Sequence, residues 1–78
     1  MKIATYDLRT GDHTYTLHDD DGQAVYSYAW QDGPGPTQWM YVRCAWVNGQ
    51  VRRSHRECSR EEHLRVQALP VWQEEVAL

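Results

Sequence analysis

Phenylalanine is absent from the chain, and the aromatic load falls on four Trp and five Tyr. Both residues join a large apolar body to a polar handle, which suits half-wet surfaces and interfaces as well as a thin core near solvent. Cysteine is scarce: Cys44 and Cys58 lack the spacing of zinc ligands. Long apolar runs are missing too, so neither a membrane span nor the apolar centre of a signal peptide is present, and a cytoplasmic protein with no membrane partner is expected. Acid is missing from residues 43–56, which hold Arg43, Arg52, Arg53 and Arg56. Residues 1–37 are the reverse, with Asp7, Asp12, Asp19, Asp20, Asp21 and Asp32 against Lys2 and Arg9. A formal charge of −3 argues against a general polyanion binder, while the local basic stretch keeps nucleic acid in play.

The chemistry-bearing motifs are absent as well. His13, His18, His55 and His63 do not form a His-x-x-x-His pair on one helix. No Ser or Cys sits in a nucleophile context such as G-x-S-x-G. Gly33-Pro34-Gly35-Pro36 is the nearest approach to a phosphate loop, but its prolines lack the N–H donors that a phosphate needs. Asp19-Asp20-Asp21-Gly22 has no distant bidentate Glu of the calcium-loop kind and reads as a solvated turn. No cofactor, metal or catalytic residue is expected, and an enzyme is the least favoured class. The nearest small-molecule reading places a pocket at His13, Tyr28 and Trp30.

What is present is a regular series of turn signals: Thr10-Gly11, Asp21-Gly22, residues 32–36 and Asn48-Gly49. Between them lie runs rich in Tyr, Trp, Val and Thr, the pattern of an antiparallel meander. Strands are expected over 2–9, 13–19, 24–31, 38–47 and 50–57. With Asp21-Gly22 as a two-residue turn, Tyr26 falls opposite Leu17, Tyr28 opposite Tyr15 and Trp30 opposite His13. With Thr10-Gly11 as the preceding turn, Tyr6 falls opposite Tyr15, and one aromatic face results. Asn48-Gly49 sets Trp46 against Val51, Cys44 against Arg53, Tyr41 against Arg56 and Trp39 against Cys58. The two thiols then lie on opposite faces, which a disulfide cannot bridge.

Ser59-Arg60-Glu61-Glu62 has the form of a capping box, so a helix is expected over 60–68. Leu64, Val66 and Ala68 alternate and would also suit a strand. Pro70 ends the helix or opens a short second one over 71–77. The fold class that follows is α+β. It is a single domain, 1–78, with a five-strand antiparallel meander, open to curling toward a small barrel, and a C-terminal helix packed on one face.

Residues 38–47, QWMYVRCAWV, are apolar on both parities, so this strand is expected to be covered on both sides. Met40, Val42, Cys44 and Trp46 continue the aromatic core face. The other side carries Trp39, Tyr41, Arg43, Arg52 and Arg56, the candidate partner-binding residues. Arg and Trp are enriched at protein–protein hot spots. Aromatic and Arg side chains also stack bases and pair phosphates. A structural reading puts the C-terminal helix on part of this face, with Glu61, Glu62, Glu74 or Glu75 pairing the arginines. The expected function is a non-catalytic interaction protein that binds another protein or a second copy of itself. Short motif-free chains of this kind are common among phage and mobile-element inhibitors, anti-CRISPR proteins included. A nucleic-acid-binding sheet using the same face is the alternative.

Overall fold

The computed structural model describes residues 2–76 of the chain. Eight strands and one helix follow in order: β1(Lys2–Thr5), β2(Asp7–Thr10), β3(His13–Thr16), β4(His18–Asp20), β5(Gln23–Trp30), β6(Gln38–Val47), β7(Gln50–Cys58), α1(Arg60–Gln67) and β8(Gln73–Val76). The centre is a four-stranded antiparallel sheet in the order β4-β5-β6-β7. β2 and β3 form a separate hairpin, and β1 pairs with β8.

The antiparallel sheet with a helix on one face is present, but the meander has fewer continuous strands than expected. The first two predicted strands each break, at Tyr6 and at Leu17. The break serves packing. A single sheet with its helix on one side would leave the Tyr26, Tyr28, Val42 and Cys44 face bare. Instead the β2–β3 hairpin folds over that face as a second layer. Tyr15 stacks on Tyr26 at 4.7 Å between ring centroids, and lies 5.8 Å from Tyr28. Leu17, Ala24, Tyr26, Val42 and Cys44 form the main buried cluster, against which Tyr6, Leu8 and Trp72 pack.

The layers do not close into a barrel. The longest extent is 50 Å and the radius of gyration 13.7 Å, against about 11–12 Å for a compact globule of this length.

Turn chemistry explains which registers were legible. Asn48 and Gly49 both have positive φ, at 52° and 77°, as a type I′ turn requires. The β6–β7 register is the predicted one throughout, from Trp46↔Val51 to Trp39↔Cys58. Asp21 and Gly22 behave alike, with Asp20 opposite Gln23 and His18 opposite Val25. The first hairpin differs. Its turn is Gly11–Asp12 rather than Thr10–Gly11, so Leu8, not Tyr6, lies opposite Tyr15. Gly11 takes the positive φ of 58°, a conformation that strains a β-branched residue such as Thr10. The slip is two residues, so side chains keep their face. Because β3 leaves the sheet, His13 pairs with Thr10 and Trp30 with Gln38, and the expected His13–Trp30 pair does not form.

Ser59 caps α1, its hydroxyl accepting the Glu62 N–H at 3.1 Å. Val66, on the buried side of the helix, packs with Val25 and Tyr41 beneath it, flanked by Cys58 and Leu69. After Pro70 the chain is extended, not helical. Val71 bridges His18, with Asp19 N–H bonded to the Pro70 carbonyl at 2.9 Å and Trp72 N–H to the Leu17 carbonyl at 2.7 Å. The helix expected over 71–77 is thus replaced by this bridge and by β8; Ala77 lies outside the described residues. A helix that short pays its nucleation cost for few bonds, whereas β4 and β1 offer ready partners to β-favouring residues such as Val71 and Trp72.

Candidate interaction surface

The five candidate residues are split by α1. Tyr41 is 4% exposed. Its ring lies under the Arg56 guanidinium, 4.2 Å from carbon to ring centroid, a cation–π contact. Its hydroxyl donates to Asp20 Oδ2 at 2.9 Å. Arg65 of the helix donates to the same carboxylate at 3.2 and 3.3 Å. Arg56 pairs with both oxygens of Glu62. A chain of charge therefore runs Arg56–Glu62 and Arg65–Asp20–Tyr41, tying β4, β6, β7 and α1 together. Arg65 and Tyr41 hold the Asp20 carboxyl below the usual carboxylate range, and Arg56 does the same for Glu62. Burial, then the bond to Asp20, pushes the Tyr41 phenol up. Of the acids expected to meet the arginines, Glu62 pairs with Arg56 on this face.

Trp39 is half-buried beside Cys58, to which it is paired. Arg43 and Arg52 are exposed and have no ion-pair partner among the described residues. A shallow depression of about 250 Å³ lies beside α1, lined by Tyr41, Arg43, Ser54, His55 and Arg56. Beyond it the helix no longer covers the hairpin, while on the other face Trp72 and Tyr6 meet Trp46 and Thr10 accepts a bond from Arg53 at 2.7 Å. The hairpin's tip exposes Trp46 (44%), Val47 (41%) and Val51 (36%). Trp46 is nonetheless held in place, with its ring 6.3 Å from Trp72 and 5.8 Å from Tyr6.

Two polar clusters went unread in the sequence. Ser27 is buried, and its Oγ lies 2.8 Å from His63 Nδ1 while Gln67 Nε2 donates to the Ser27 carbonyl at 3.2 Å. His63 and Gln67 are four apart on the helix, and Ser27 shares the parity of Val25, so the spacing was visible once the helix was docked there. The pair is a clasp that ties α1 to β5; no carboxylate bonds the second His63 nitrogen among the described residues, and Ser27, His63 and Gln67 line an open cavity of about 390 Å³ together with Tyr15, His18 and Tyr26. In the acidic turn, Asp19 accepts the Gly22 N–H at 2.8 Å. Asp20 is no solvated turn residue, since it shares a face with His18 and anchors the helix. His18, also buried, meets the Leu69 carbonyl at 2.9 Å.

His13 is exposed at the end of the β2–β3 hairpin, 6.3 Å from Tyr15 and not beside Trp30. Cys44 and Cys58 are free thiols. Among the described residues no cluster of three His, Cys, Asp or Glu side chains could hold a metal ion, and no helix is long and apolar enough to cross a membrane. Comparison with protein-family models, curated proteins and solved structures gives no match.

Proposed function

We propose that this chain is a non-catalytic protein-interaction module, of the small inhibitor or regulator kind, which docks on another protein through the β6–β7 hairpin. The observation that carries the reading is the hairpin's outer half, which exposes Val47, Arg43 and Arg52 on the helix side and Trp46 and Val51 on the other, with no ion-pair partner for either arginine among the described residues. Trp and Arg dominate protein–protein hot spots, and a Trp already stacked on Trp72 and in tilted contact with Tyr6 loses little freedom on binding. Trp39 and Arg56 border this surface, while Tyr41 supports it from below. A cytoplasmic setting is part of the proposal, supported by the two free thiols. The narrower reading, a phage or mobile-element inhibitor of the anti-CRISPR kind, rests on chain size and the lack of motifs.

The nucleic-acid alternative draws on the same arginines. Stacking of bases needs an open aromatic face, and that of Tyr41 is occupied by Arg56, which favours a protein partner.

The test is the double variant Arg43→Glu/Arg52→Glu. Both side chains are exposed, so its stability should stay within about 0.5 kcal/mol of the parent. It should fail to capture the partner that the parent retains from extract of the source cells. Equal capture by the variant overturns the proposal. Oligonucleotide binding that weakens steeply with salt and disappears in the variant moves the surface to the alternative.

A further inference from the structure

The sheet's two edges are treated differently. Along β4 the edge is bridged by Val71, through the bonds of Asp19 and Trp72. Where β5 extends past β4, Gln67 takes the Ser27 carbonyl. Among the described residues no other element bonds the backbone of β7, which pairs with β6 alone and whose residues 50–57 are all exposed; its contacts to Thr10 and Glu62 are made by the Arg53 and Arg56 side chains.

The Asn48-Gly49 turn determines which backbone groups on that edge are free. In a two-residue hairpin the residues flanking the turn, here Val47 and Gln50, exchange both hydrogen bonds, and bonded pairs recur at every second position. Ala45 with Arg52, Arg43 with Ser54 and Tyr41 with Arg56 are the next such pairs. The N–H and C=O groups of Val51, Arg53, His55 and Glu57 therefore point away from β6. The same alternation carried across to β5 sends the Ser27 carbonyl outward, where Gln67 meets it.

We propose that this edge receives an extended acidic segment of the partner protein, added to the sheet as a further strand beside β7. The inference rests on the hairpin being the interaction surface. Charge selects the occupant. Arg52 and Arg53 stand on opposite faces of the edge strand, Arg53 with one nitrogen already donating to the neutral Thr10 hydroxyl at 2.7 Å, and Arg43 lies one strand inward beside the depression. Glu57, near the end of β7, is the strand's one acid. A carboxylate directly across from Arg52 or Arg53 would sit about 5 Å away at Cβ, close enough to pair. A second copy of β7 fits less well. Full overlap, with Gln50 facing Cys58 of the copy, would set Arg52 against Arg56 at both ends, and like charges in direct opposition destabilise a sheet. A shift that sets Arg53 against Glu57 shortens the overlap and places His55 against its own copy.

The experiment uses the full chain, labelled with nitrogen-15, and a nine-residue peptide of alternating Glu and Thr. The amides of Val51, Arg53, His55 and Glu57 should shift and gain at least about tenfold protection from hydrogen exchange. The intervening amides of β7, already bonded to β6, should change little. A peptide with Lys in place of Glu should bind at least about tenfold more weakly, and methylating the Glu/Thr peptide's backbone nitrogens should abolish binding without touching the protein. His55→Pro, which removes one outward N–H at an edge position that tolerates proline, should weaken the Glu/Thr peptide. Unmoved amides at millimolar Glu/Thr peptide overturn the inference. So does protection of the same amides that rises with protein concentration alone, which would assign the edge to a second copy. Capture of the partner that depends on Arg43 and Arg52, combined with unmoved edge amides, leaves the hairpin proposal standing and removes this one. Responding amides combined with unaffected capture do the reverse.

Discussion

Tyr41→Phe removes one oxygen from the centre of the charge network and leaves the ring in place. The hydroxyl donates to Asp20 at 2.9 Å, and the carboxylate is also held by Arg65. Hydrogen bonds to charged groups contribute about 1.5–3 kcal/mol. The Asp20 side chain keeps 21% of its surface in water, so solvent replaces part of the loss and the expected cost is about 1 kcal/mol. In a domain of this size that lowers Tm by about 4–8 °C. The assay is thermal unfolding followed by circular dichroism, paired with a urea titration so that a change in midpoint is separated from a change in slope. A double-mutant cycle with Asp20→Asn should return a coupling of at least about 0.5 kcal/mol. Tyr41→Ala is the wrong probe, since emptying a buried aromatic site costs about 3–5 kcal/mol out of a total of about 4–12 for a chain this long. An unchanged Tm in Tyr41→Phe, with zero coupling, would refute the reasoning and return Tyr41 to the surface as a contact residue.

Acid should weaken the fold through the same bridges. Asp20 and Glu62 bind protons less readily folded than unfolded, because Arg65 and Arg56 favour their ionised forms. Their stabilisation is therefore complete above the ordinary carboxylate range, near pH 4, and is lost as pH falls through the lower folded values. Asp20→Asn/Glu62→Gln should flatten the stability curve between about pH 5 and pH 2; an unchanged slope would mean that the bridges are not kept in solution. Cys44 is buried, and desolvation pushes its thiol up, so a thiol reagent should modify it at the rate of unfolding, and rapid native-state labelling would contradict its place in the core. Ser27→Ala strips the hydroxyl from His63, leaves Gln67 only the backbone carbonyl and should cost about 1–2 kcal/mol; a neutral result in chemical denaturation would show that the hydroxyl adds nothing to the clasp.

The legible part of the fold was the part governed by local rules. Asn48-Gly49 and Asp21-Gly22 each impose a turn that admits one register, and the Trp46, Cys44 and Val42 pairings followed. Ser59 and Glu62 marked the start of the helix. Residues 2–19 were misjudged because alternation defines a face, not the partner that covers it. Tyr6, Tyr15 and Leu17 needed an apolar layer, and both a longer sheet and a folded-over hairpin satisfy that demand. Residues 71–76 were misread because their structure is set by distant strands. At the candidate surface the sequence grouped Trp39, Tyr41, Arg43, Arg52 and Arg56 on one face by parity, as the register has them. Which of them the helix would cover depends on how far α1 reaches across the sheet, and that was decided by Asp20, Ser27, His63 and Gln67, polar residues with no apolar periodicity to announce them.

The pairing of β1 with β8 has a consequence for the order of events during synthesis. Lys2 lies opposite Val76 and Thr5 opposite Gln73, so during synthesis β1 waits for roughly seventy further residues before it has a neighbour. The β4–β5 and β6–β7 hairpins close over two-residue turns, β5 and β6 over the short loop 31–37, and none faces such a delay. Bringing ends roughly seventy residues apart costs about 2–3 kcal/mol more in chain entropy than closing a tight hairpin. β1 and β8 thus join last and come apart first, as one unit, and anything that grips β8 early leaves β1 as an unpaired strand.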